Sequence, residues 1–161
     1  MRGKASDELT EGATFRSHRR TITEADIVLF TSLTWINDPI FTDQVFAATT
    51  QFGNRVAPGP LVLGYALGLT EELVYGTTLA ALGINKVEFK GPVRPGATIH
   101  VETAIGPIRD SATRPGTSII VFRHTVYSDQ QEDPVCSFER NMLVGSAAYL
   151  AQIADQGSVR A

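Results

Sequence analysis

The sequence predicts an α+β domain in which an antiparallel sheet wraps one long helix, and three observations carry that expectation. The stretch Leu61, Val62, Leu63, Tyr65, Ala66, Leu67 and Leu69 is apolar on nearly every helical face, interrupted only by Gly64 and Gly68, and a helix of that kind is buried all round. From Gly76 onward the pattern turns to alternation with a period of two, which marks strands. The chain has 161 residues, enough for one domain with a sizeable core. A long apolar helix in so short a chain requires a curved sheet around it.

Residues 1–13 are polar, contain glycine and lack periodicity, so they are expected to be a mobile leader. The domain proper spans 14–146, and 147–161 form a C-terminal tail in which no signal fixes a helix. Thr14 to Ile22 is expected to pair as a strand. It carries the basic cluster Arg16, His18, Arg19 and Arg20, read as solvated surface with phosphate contact as the alternative. Thr23, followed by Glu24 and Asp26, supplies an N-cap and two acids ahead of Ile27, Val28, Phe30 and Leu33, predicting a helix to about Thr34.

Pro39 pushes Asp38 toward extended geometry, so Trp35 to Phe41 is a loop carrying apolar side chains. Asp43 then caps a short helix holding Val45, Phe46 and Ala47, which ends near Phe52-Gly53-Asn54. The long helix is predicted over Pro60 to Leu73. Its two glycines, four apart on one face, would let another backbone approach closely.

Val87 and Phe89 alternate with Glu88 and Lys90, and Gly91-Pro92 and Arg94-Pro95-Gly96 punctuate the run. Ile99, Val101 and Thr103 alternate next. After Pro115-Gly116, the strand from Ile119 to Tyr127 is largely apolar on both faces, which predicts a central position. Asp129 to Pro134 is a turn, and Val135 to Val144 is the last strand of an expected meander. Its edges and open face are expected to be covered by dimerisation through strands.

Fourteen Lys plus Arg against 17 Asp plus Glu give a net charge of −3, so no basic field exists to hold nucleic acid or an anionic membrane. Cys136 is the only cysteine, which removes an intrachain disulfide and any Cys-based zinc site and fits a reducing compartment. No apolar run of signal-peptide type or membrane-spanning length is present, and a cytoplasmic protein is expected. His18, His100 and His124 lack ligand spacing, so no metal is expected. Gly59 and Gly64 do not form a phosphate-cradling fingerprint after a strand.

Three stretches carry a family resemblance: Thr21-Ile-Thr-Glu-Ala-Asp-Ile27, Phe52 to Gly64, and Val87-Glu-Phe-Lys-Gly-Pro-Val-Arg-Pro-Gly96. On these the chain resembles the MaoC-like branch of the hot-dog fold, the family of (R)-specific enoyl-CoA hydratases and 3-hydroxyacyl-thioester dehydratases. The likeness covers roughly residues 15 to 146. It implies a hot-dog domain and an acyl thioester of CoA or a carrier protein as substrate. CoA or phosphopantetheine would enter as part of that substrate, with no separate cofactor. It also implies a homodimer, or a hetero-oligomer with another hot-dog subunit.

The family's active-site loop reads Gly-Asp-x-Asn-Pro-Ile-His, its Asp and His forming the acid/base pair. Registered on Pro39, the resemblance puts Trp35 at the Gly, Ile36 at the Asp, Asp38 at the Asn and Phe41 at the His. Hydrating an enoyl thioester needs a base for water, an acid for the α carbon and donors for the enolate oxygen. Ile36 and Phe41 move no proton. Hydration of simple straight-chain enoyl-CoA is therefore expected to be weak or absent, and any native activity to depend on Asp38 or Asn37. Beside Trp35 and Ile36, Asp38 is expected to be desolvated with a raised pKa; its other role is structural hydrogen bonding in a turn. Asp43 matches a downstream acid of the family and doubles as a helix cap.

The binding half of the site survives. By resemblance the Gly59 amide is the oxyanion donor at the helix N-terminus entered through Ala57-Pro58-Gly59, and Pro58 stands where relatives often have His. The pocket is expected between the Trp35 to Phe41 loop and the start of the long helix, with Lys86, Lys90 or Arg94 either meeting the CoA phosphates or serving as surface charge. Tyr65 reads as a satisfied core residue, and His124 faces core or solvent. The function implied is a dehydratase or hydratase, a lyase with a non-standard loop. The alternatives are a non-catalytic hot-dog subunit shaping the acyl site of a partner that bears the Asp/His pair, and hydrolysis or isomerisation of a thioester on the same scaffold.

Overall fold

Side-chain caps set the starts of the first three α-helices in the computed structural model, which describes residues 2–158. Helix α1 (Glu24–Thr34) opens on Thr23, whose hydroxyl accepts the Asp26 N–H at 3.2 Å while the Asp26 carboxylate accepts the Thr23 N–H at 2.7 Å. This reciprocal capping box satisfies two donors that a helix start leaves bare. The helix stops at Trp35, whose backbone is left-handed at φ 62°. Asp38 caps α2 (Pro39–Thr42), its carboxylate accepting the Ile40 N–H at 3.0 Å. Pro39 stands at the first helical position, where a missing N–H costs nothing. Asp43 caps α3 (Gln44–Ala48) by accepting from Val45 and Phe46.

Helix α4 (Gly59–Thr70) continues into a 3-10 turn, Glu71–Leu73. It lies against an antiparallel sheet of β1 (Thr14–Arg16), β2 (Arg20–Thr21), β3 (Thr78–Phe89), β4 (Thr98–Asp110), β5 (Thr117–Ser128) and β6 (Cys136–Gly145). The order is β1-β4-β5-β6-β3, with β2 also on β4. Strand β5 is central, as its two apolar faces predict. The expected meander is corrected, because β3 pairs with β6 at the far edge and not with β4. Pro92 and Pro95 supply no ladder donors, so the chain leaves the sheet after Phe89 and re-enters beside β1.

Leu61, Val62, Ala66 and Leu69 of α4 pack with Ile99 and Val101 of β4, Val126 of β5 and Phe138 of β6, closed by Ile22 and Ile27. Each of these valine, leucine, isoleucine and phenylalanine side chains contributes about 1.5–3 kcal/mol on burial. The helix is not buried on every side, however. Gly64 and Gly68 are exposed, and beyond their chain neighbours and the helix's own backbone no atom of the described residues lies within 4 Å of where a Cβ would sit on either. They open a bare stripe and admit no second backbone of this chain.

The N-terminal segment is seated on the domain, against the expectation of a mobile leader. Gly3 and Lys4 donate to the carbonyls of Tyr75 and Leu73 at 2.8 Å each. Ala5 is buried, and Leu9 joins a second core with Val74, Ile105, Ile120, Phe122, Met142 and Val144. The tail forms α5 (Ala147–Ser158), whose first N–H is accepted by Asp7 at 3.0 Å and whose Leu150 is buried. Residues 159–161 of the expected tail lie outside the described residues.

Candidate active site

The segment Pro58-Gly59-Pro60 makes a helix start with a single usable donor. Pro58 is the N-cap and accepts from Leu61 at 3.0 Å and Val62 at 3.2 Å, while Pro60 has no N–H. The Gly59 N–H has no acceptor among the described residues. It adds to the positive end of a twelve-residue helix. The Ala57 N–H is engaged, donating to the Val93 carbonyl at 2.7 Å.

Gly59 and Ala57 form part of the wall of a cavity of about 480 Å³. Phe41, Phe52 and Phe89 supply aromatic surface, and Ile40, Val62 and Val135 aliphatic surface. Lys90 is the charged member of the described lining, and its ammonium pairs with Glu88 at 3.3 Å. The described lining holds no carboxylate and no imidazole. Such a site can bury an acyl chain and polarise a carbonyl with one amide. Among the described lining residues only the Lys90 ammonium, held by Glu88, carries a proton.

Several expected members stand elsewhere. Trp35 is 83% exposed and Ile36 half-buried, and neither is in the described cavity wall. Asn37 and Asp38 are exposed. The expected desolvation of Asp38 is therefore corrected: in this chain its carboxylate lies in solvent and caps α2. Arg94 donates to the Phe52 carbonyl at 3.0 Å, so it braces the wall next to the cavity. Lys86 pairs with Glu139 at 3.1 Å. Phe52, Phe89 and Val135 were not among the expected site residues, since only the fold brings the end of β3 against the start of α4.

The remaining polar residues have local roles. His124 is 1% exposed, lies between Phe122 and Phe138, and has Nδ1 2.8 Å from the Thr103 hydroxyl. Burial, then the nearby Arg140 charge, depress its pKa to about 3. His100 stacks on Tyr127 with ring centroids 5.4 Å apart. Tyr65 is half-buried against the main core with its hydroxyl accepting from Arg20 at 3.3 Å; the Arg20 guanidinium lies 4.8 Å over its ring and also bonds Asp26 at 3.1 Å. Desolvation raises the Asp26 carboxyl, but hydrogen bonds from Tyr65 and Thr23 and the Arg20 charge outweigh it and bring the pKa to about 2. Cys136 is buried, which pushes its thiol up to about 11. Among the described residues no cluster of His, Cys, Asp and Glu is placed to hold a metal. A second cavity, about 510 Å³, opens at the other end of α4 beside Phe15, Arg16 and Leu73, and contains none of the expected site residues in its described wall.

Comparison with known proteins agrees with this geometry. A profile of the family described as "MaoC like domain" matches residues 7–120. Protein MaoC of Klebsiella aerogenes is 36% identical over 98 residues, which are 61% of this chain and 29% of that protein. The chain thus spans under a third of that relative. The (R)-specific enoyl-CoA hydratase of Rhodospirillum rubrum is 31% identical over 123 residues, 74% of this chain and 78% of the hydratase. A solved structure described as a monoamine oxidase regulatory protein from Archaeoglobus superposes with a TM-score of 0.81 at 27% identity, covering 91% of this chain and 97% of that one. A sheet wrapped on α4, a free amide at the helix start and a profile match over most of the chain lead to one assignment: this is a hot-dog domain, and the chain belongs to the MaoC-like family.

Proposed function

We propose that this chain is the acyl-binding half of an acyl-thioester hydratase or dehydratase. The acyl group occupies the aromatic cavity, the thioester oxygen accepts from the Gly59 N–H, and the CoA or phosphopantetheine arm leaves past Lys90. The acid/base pair comes from outside this chain's own loop, on a partner hot-dog subunit. One observation carries the reading: an unengaged amide in the wall of a cavity whose described lining holds neither the carboxylate nor the imidazole of the family's acid/base pair. The left-handed backbone of Trp35, at the place the resemblance gives to a glycine, supports the register that sets Ile36 and Phe41 at the family's acid/base positions.

The partner is argued from the surface. In the single chain, Leu82 and Ile84 on edge strand β3 and Val28, Leu29 and Leu33 on α1 are exposed. An apolar edge strand of this length invites a second sheet, and a related hot-dog subunit bearing the acid/base pair covers it. The lone buried Cys136 fits a cytoplasmic setting. No helix among the described residues is long and apolar enough to cross a membrane.

A second reading, turnover by this chain through its own loop, draws on Asp38, which caps α2 through one carboxylate oxygen while standing in solvent. Crotonyl-CoA hydration by the purified chain decides between the two. The expected result is saturable binding of butyryl-CoA with no hydration above that of Asp38→Asn. Rapid hydration that falls by about 10²-fold or more in Asp38→Asn transfers the chemistry to Asp38. Release of free CoA thiol instead points to hydrolysis.

A further inference from the structure

The end of β3 departs from regular pairing in a way that reaches the cavity. Asn85 pairs with Glu139, but the next pairs are Glu88 with Ser137 and Phe89 with Cys136. Three steps along β3 thus match two along β6, a bulge of one residue. Lys86 takes up the extra residue with a left-handed backbone at φ 50°, and its ammonium is tied to Glu139 at 3.1 Å. An inserted residue reverses the face of every side chain that follows it. Uninterrupted pairing would set Glu88 opposite Cys136, on the inner face that Phe138 and Arg140 share. The bulge sends Glu88 outward and turns Phe89 in.

Turned inward, the Phe89 ring lies directly on Gly59: a Cβ built on that glycine would fall 2.8–2.9 Å from three of its atoms. The strand ends there, because the N–H groups of Lys90 and Gly91 both turn to the Val135 carbonyl. A carbonyl oxygen accepting from Gly59 sits about 2.9 Å from that nitrogen, and its α carbon follows two bonds later. With the oxygen so held, substituents on that carbon would lie in the cavity whose wall Phe89 forms beside Gly59.

Resting on the acyl-thioester reading of this cavity, we propose that Phe89, aimed by the Lys86 bulge, selects acyl groups by width at the α carbon, accepting unbranched chains and excluding those branched there. Calorimetric titration with butyryl-CoA and pivaloyl-CoA tests this, since neither saturated thioester can be hydrated. The wild-type chain is expected to bind butyryl-CoA about tenfold or more tightly than pivaloyl-CoA. In Phe89→Ala the two affinities converge, chiefly through tighter pivaloyl-CoA binding, and Phe89→Leu falls between. Phe89 is 54% exposed, so its truncation spares the core, and the leucine variant carries the test if the alanine variant fails to fold. An unchanged preference in the folded variants overturns the selection while leaving the cavity reading intact. Absence of saturable binding of either thioester to the wild type overturns the cavity reading and the selection with it.

Discussion

Gly59 is constrained twice, by the ring that leaves no room for a Cβ and by the amide it contributes. Two substitutions separate these constraints. Gly59→Ala and Gly59→Pro both place a Cβ against Phe89, but only proline removes the N–H, and proline suits the first position of a helix. Butyryl-CoA affinity is expected to fall in both and by about a further tenfold in the proline variant, the worth of one good hydrogen bond. Equal affinities would remove the amide from binding. His124 gives a second residue-level prediction. Its pKa is about 3 in the fold against about 6.5 in an unfolded chain, so the unfolded state takes up the proton first. Its stabilising contribution is full above pH 6.5 and is lost as pH falls toward 3, at about 1.4 kcal/mol per pH unit. Urea titrations between pH 6.5 and 5 should show a steeper loss in wild type than in His124→Gln. Parallel curves would contradict it. The alternation around His124 allowed either face, and pairing across to Thr103 and Phe138 decided for the core.

The caps were the most legible elements, because a capping carboxylate or hydroxyl acts on N–H groups two or three residues away. Thr23 and Asp43 start helices as their positions predict. Asp38 proved to be a cap as well, which makes its substitutions informative. Asn caps a helix as well as Asp does, so Asp38→Asn should leave thermal stability and butyryl-CoA binding unchanged. Asp38→Ala should cost about 1 kcal/mol, measured by chemical denaturation. A binding loss in the asparagine variant would return Asp38 to the site. The bulge in β3 was not legible: Lys86 carries no preference for left-handed backbone, and Val87 and Phe89 read as regular alternation. The open stripe on α4 was missed for a related reason, since composition shows that a helix is apolar but not which side the sheet leaves bare.

At the scale of the molecule, the wrapped helix and central β5 follow from hydrophobic pattern, whereas the place of β3 depends on long-range pairing that no local signal encodes. The seating of the N-terminal segment is not legible in its sequence because its apolar anchors are few and scattered: Leu9 and Ala13 at the second core, and the buried Ala5, in an otherwise polar stretch. Leu9→Ala is accordingly expected to cost about 2–4 kcal/mol in urea unfolding; an effect within about 0.5 kcal/mol, as for an exposed residue, would restore a free leader. The same long-range assembly brings α4, β3 and the Phe41 helix around one cavity, and the central claim is that this cavity holds an acyl thioester by the Gly59 amide without an acid or base from its own loop. A crystal structure of the chain with butyryl-CoA tests it most directly. The expected structure has the thioester oxygen about 2.9 Å from the Gly59 nitrogen, the butyryl chain among Phe41, Phe52 and Phe89, and no carboxylate or imidazole of the same chain within hydrogen-bond reach of the α or β carbon. Butyryl-CoA bound away from Gly59, or Asp38 drawn in against those carbons, would contradict it.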